Sequence, residues 1–140
     1  MDLVVEHSLD STSESLFAVV ADLGRYPEWM GLVHSARPVG DAIWEIQLRA
    51  RVGPFARSKK LTMARTSMEV PNSVRFERRE SDGRSHGVWT LDVNVRPDGD
   101  RTKLVMNLHY GGRLWSSVVE RVLFDEIEAS KKRLEQLLTL

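Results

Sequence analysis

The chain has 140 residues, a mass of 16.0 kDa and 41% hydrophobic residues, enough to bury one core and too few for two. Its 20 basic and 20 acidic residues cancel, which argues against a global attraction to nucleic acid or to an anionic membrane. It has no cysteine, so disulfides, thiolate metal sites and cysteine nucleophiles are excluded together.

The first twenty residues alternate polar with apolar and lack the basic start and continuous apolar run of a signal peptide. No stretch approaches the length of a membrane span. We therefore expect a cytoplasmic protein without stable membrane insertion, folded as a single domain over residues 1–140.

Residues 2–9 set Leu3, Val5, His7 and Leu9 against Val4, Glu6 and Ser8, the period of a strand with one apolar side. The period then changes. Asp10, Ser11, Thr12 and Ser13 offer N-cap oxygens, and Leu16, Phe17, Val20 and Leu23 recur at helical spacing until Gly24, where we expect the helix to stop. The following segment, RYPEWMG, reads as a second short helical turn. Pro27 suits its start, and Tyr26, Trp29 and Met30 form its apolar side.

From residue 32 to 111 the pattern is strand, cut by turn chemistry at Gly40-Asp41, Gly53-Pro54, Pro71-Asn72, Asp82-Gly83 and Pro97-Asp98-Gly99-Asp100. Six strands are expected, at about 32–39, 42–52, 55–69, 73–81, 85–96 and 102–111, joined as antiparallel hairpins. Parity places Trp44, Ile46, Leu48, Ala50 and Val52 on one face, and Glu45, Gln47, Arg49 and Arg51 on the other. Leu61 and Met63 share parity with Arg57, Lys59 and Arg65, which predicts a bulge or an exposed end. The basic residues of this middle region read as solvated strand faces. From Arg113 to Leu138 there is no Gly or Pro, and Trp115, Val119, Val122, Leu123, Ile127, Ser130, Leu134 and Leu137 form one helical stripe. Such a helix, about 39 Å long at ~1.5 Å per residue, can cross a whole sheet face.

This order of elements, together with LFAVVADLGRYPEW at residues 16–29, resembles the START-like or SRPBCC superfamily, in particular its polyketide cyclase/dehydrase branch. The matching features are Phe17, Ala21-Asp22-Leu23, Tyr26, Pro27, Trp29 and the amphipathic helix after Gly111-Gly112. The resemblance spans essentially the full length. It implies an α+β helix-grip fold: a seven-stranded curved antiparallel sheet around a long C-terminal helix, with two short helices after the first strand. Members of that superfamily include polyketide cyclases, lipid and sterol carriers, hormone receptors, quinone-binding proteins and factors acting on ribosomes or chaperones, so the fold does not choose a function. The Tyr-Pro-Trp cluster is expected to pack the short helix and close one end of the sheet.

A bent sheet gripping one helix leaves space beside that helix. By parity its walls comprise Trp44, Ile46, Leu48, Phe76, Trp89, Leu91, Met106, Leu108 and Tyr110, with Met63 joining them and Trp115, Val119 and Val122 contributed by the helix. Such a lining suits a small apolar ligand, and the same residues would also suit a filled core. Arg78 and Arg65 have inward parity. Either could neutralise an enolate or carboxylate, or lie at a strand end with its head in water. Asp125 and Glu126 lie near the helix stripe, with Lys131, Lys132 and Arg133 close enough to hold them as surface pairs. Tyr110 carries the best-placed hydroxyl.

His7, His34, His86 and His109 fall on separate segments without metal-ligand spacing, and neither a nucleophile elbow nor a phosphate-cradling loop is present. No metal, cofactor or nucleic-acid partner is expected. Three functions compete: noncatalytic binding or transport of a small, largely apolar metabolite or lipid; a polyketide cyclase/aromatase-type enzyme; and a protein-interaction module with a filled core.

Overall fold

The computed structural model describes residues 2–111 and 117–139, apart from the side chains of Val52, Phe55 and residues 117–120. Strand β1 (Asp2–Leu9) leads into helix α1 (Ser13–Val20), a 3-10 helix (Leu23–Glu28), and then strands β2 (Val33–Gly40), β3 (Ile43–Val52), β4 (Phe55–Glu69), β5 (Ser73–Arg78), β6 (Trp89–Asp98) and β7 (Arg101–Tyr110). Helix α2 (Ser117–Leu138) follows.

Helix α1 begins where the Thr12 hydroxyl accepts the Ser15 N–H at 3.1 Å, and Glu14 sits favourably in its first turn. It ends earlier than its spacing predicts, at Val20, because Asp22 takes over. The Asp22 carboxylate accepts the Gly24 N–H at 2.9 Å and caps the 3-10 helix, so Gly24 lies inside this tighter helix rather than stopping the first one. Pro27 also lies inside it, not at its start.

The strands form one antiparallel sheet in the order β1-β7-β6-β5-β4-β3-β2. Consecutive hairpins account for every neighbour except β1, which pairs with β7 from Asp2↔His109 to Leu9↔Thr102. Strand β5 stops at Arg78 instead of continuing to 81. The Arg79 N–H still reaches the Thr62 carbonyl, but the Thr62 N–H turns to the Glu80 carboxylate at 2.9 Å, so a side chain replaces the next ladder partner. Strand β4 carries the expected irregularity, a register shift between Arg65 and Ser67. Its other end is exposed: beyond Leu48 and Thr62, β3 and β4 ladder mainly with each other, down to Val52↔Phe55, forming a two-stranded ribbon.

Helix α2 touches both β3 and β1, which lie toward opposite edges of the sheet, so the sheet curls around it. This is the helix-grip architecture. Leu123, Ile127, Ser130 and Leu134 are the buried stripe of α2. Ser130 ties that stripe to the corner before β2: its hydroxyl accepts the Gly31 N–H at 3.1 Å and donates to the Glu126 carbonyl at 2.7 Å. Arg133 adds a bond from Nε to the Trp29 carbonyl at 3.1 Å. No helix among the described residues is long and apolar enough to cross a membrane.

Candidate functional site: an apolar cavity between sheet and helix

A cavity of about 130 Å³ lies between the concave face and α2. Ile46 and Leu48 of β3, Met63 of β4, Trp89 and Leu91 of β6, and Met106, Leu108 and Tyr110 of β7 wall it as their parity predicts. Register brings these residues together: Trp89 faces Tyr110, and Leu91 faces Leu108. The Trp89 and Tyr110 rings stack, with centroids 5.3 Å apart and planes 26° from parallel. Leu48, Leu91 and Leu108 are only half-buried, although all three face the inside of the fold.

The wall has further members. Leu3 and Val5 of β1, Leu61 of β4, and Leu123 and Ile127 of α2 all line it. Their signal was present, since each lies on the apolar side of its own strand or helix, but parity alone does not say which strands meet over the helix. Tyr26, Met30, Leu32 and Val33 close one end, from the 3-10 helix through the corner after it to the start of β2.

Three predicted wall residues, Trp44, Phe76 and Val122, are not part of the lining, and neither is Arg78. Trp44 and Phe76 have inward parity, but the 3-10 helix covers their part of the concave face. Phe76 is fully buried, edge-on to Tyr26 at 6.3 Å and to Trp44 at 6.0 Å, so these rings are packed core and do not face the cavity. The Arg65 guanidinium closes this cluster, 5.8 Å from the Trp44 ring centre and bonded to the Ala21 carbonyl at 2.9 Å. Arg78 lies in a separate polar cleft of about 310 Å³, opened by the early end of β5. Trp115 and the side chain of Val119 lie outside the described residues.

In that cleft Arg78 donates from Nε to Glu80 at 2.9 Å and meets His86 Nδ1 at 3.3 Å, while His86 Nε2 is 2.9 Å from Asp82. Burial pushes the Glu80 carboxyl up, but the Thr62 N–H and the Arg78 guanidinium outweigh it and hold Glu80 below the usual carboxylate range. The Arg84 backbone N–H and the His86 ring hold Asp82 low as well. Glu126 lies 3.4 Å from Arg133, in keeping with the surface-pair reading.

The cavity wall offers few polar atoms. The Tyr26 hydroxyl donates to the Val20 carbonyl at 2.8 Å, and burial, reinforced by Asp22, drives its pKa far above the ordinary phenol value. Its proton is engaged by that carbonyl. The Trp89 indole N–H is buried without a hydrogen-bond partner among the described residues, and the cavity surface itself presents only apolar atoms. Among the described lining residues there is no carboxylate, imidazole, lysine or arginine.

A curled seven-stranded sheet on one long helix, with an apolar space between them, defines a START-like protein. A family model described as polyketide cyclase / dehydrase and lipid transport matches residues 10–132, and the chain belongs to that family. Among solved structures, it resembles a START superfamily protein from Mycobacterium smegmatis (14% identity, TM-score 0.73, covering 99% of this chain and 97% of that one). It also resembles a conserved protein from Geobacillus kaustophilus (12%, TM-score 0.75, 99% and 95%). A third is the Zhui aromatase/cyclase of a Streptomyces species (13%, TM-score 0.65, 99% and 94%). At these identities the likeness is one of fold. No curated protein sequence matches the chain.

Proposed function

We propose that this chain binds a small, largely apolar molecule in the cavity between sheet and helix, and carries or sequesters it without transforming it. The carrying observation is the cavity itself, walled by aliphatic and aromatic side chains from both layers. Apolar cavities of roughly 150 Å³ stay dry and take up benzene, so 130 Å³ suits one aromatic ring or a short acyl segment.

Family membership is compatible with a cyclase as well as with a carrier. The carrier reading is preferred because Arg78 lies outside the cavity and the Tyr26 hydroxyl is held by Val20, which leaves no acid-base pair among the described lining residues.

A hydrophobic fluorescent probe should bind the folded protein at one saturable site and quench or shift tryptophan emission. Met106→Trp, which fills the space at an overpacking cost of about 1–3 kcal/mol, should abolish that binding while the circular dichroism spectrum is retained. Equal probe binding by the variant would overturn the assignment. Mass spectrometry of gently purified protein should in turn reveal a retained small molecule.

A further inference from the structure

Between Glu45 and Glu69 the chain holds six Lys or Arg residues and no Asp or Glu, so the remainder of this neutral chain is net acidic. Five of the six, Arg49, Arg51, Arg57, Lys59 and Lys60, lie on the β3–β4 ribbon, and all but the half-buried Lys59 are exposed. Register sets them opposite Ser58, Ala56, Ala50, Leu48 and Gln47, so no carboxylate faces any of them across the ribbon. None forms an ion pair among the described residues. The ribbon extends roughly 13 Å past Leu48, at ~3.3 Å per residue, and its turn reads Val52-Gly53-Pro54-Phe55. Its root is the rim of the apolar cavity: Leu48 lines that cavity and is the register partner of Lys59.

We infer that this ribbon docks the protein onto an anionic lipid bilayer, its cations against the headgroups and its tip at the interface. Charge complementarity selects an anionic surface. The tip sequence selects a bilayer over a nucleic acid, because Val-Gly-Pro-Phe offers no side-chain donor for phosphate or base edges and Phe is a residue type favoured at a bilayer interface. Docking there would bring the cavity rim to the bilayer surface. Cations on an open ribbon also protect its edges from pairing with another chain, and that role alone would require no bilayer.

The test uses the full chain with vesicles of phosphatidylcholine alone, or with about 30% phosphatidylserine, in about 0.1 M salt. Co-sedimentation is expected with the anionic vesicles only, and release at about 0.5 M salt, where screening is strong. The triple variant Arg49→Glu, Arg51→Glu, Arg57→Glu keeps charged ribbon edges and should partition at least ~100-fold less, from roughly fivefold per cation. It should still bind the hydrophobic probe. Met106→Trp should lose the probe and keep the vesicles, so failure of the docking proposal and failure of the cavity reading are separable. Equal binding to neutral and anionic vesicles, binding to neither, wild-type binding by the triple variant, or binding to duplex DNA in preference to vesicles would each overturn the proposal.

Discussion

Trp29 shows how one side chain joins three parts of the fold. Its ring is 2% exposed and lies 4.9 Å from the Tyr26 ring, while its backbone carbonyl receives Arg133 from α2. Trp29→Ala should therefore lower stability by about 3–5 kcal/mol, the usual cost of truncating a large buried aromatic, as read from denaturant unfolding. Lost probe binding at unchanged stability would move Trp29 from packing to ligand contact. The packing role of Tyr26 and Trp29 was legible in the sequence, because a Tyr-Pro-Trp cluster on a short turn has little else to do than dock. The fates of Trp44, Phe76 and Arg78 were not. Parity assigns a face, and all three have the parity of wall residues, but it does not say which part of that face another element covers. Arg65 is the counterpart case: its inward parity is real, and the Ala21 carbonyl it reaches lies 44 positions away in the chain.

At the level of elements, the strands were readable to within a few residues wherever Gly, Pro, Asn or Asp closes a turn. Two of the misread boundaries occur where a side chain replaces a backbone partner. Asp22 starts the 3-10 helix early, and Glu80 ends β5 early. Ser130 is the same kind of residue used to dock a helix. It is 1% exposed on an otherwise apolar stripe, and the Gly31 N–H has its hydroxyl as acceptor. Ser130→Ala should cost about 1–3 kcal/mol in chemical denaturation, because it leaves that N–H without its acceptor, despite improving helix propensity. An unchanged midpoint would mean that water replaces the hydroxyl and that apolar contacts alone dock α2. The stripe itself could be read from spacing, whereas the partner of its one polar member could not.

For the molecule as a whole, the layers and their order followed from counting hairpins and one long amphipathic helix, while the split of the concave face between cavity and packed core depended on where the 3-10 helix came to rest. The pairing of β1 with β7 has a consequence of its own. Asp2 is matched with His109, so the first strand made is among the last to be satisfied. Non-local pairing of this kind slows folding, and refolding followed by tryptophan fluorescence should take milliseconds to seconds; completion in microseconds would contradict this order of assembly. During synthesis at ~5–20 residues per second, β1 must wait roughly 5–20 s before β7 exists to receive it. Over that interval the nascent chain presents an unpaired apolar strand, and the ribosome-bound stage, more than the finished protein, is where aggregation or chaperone capture would act.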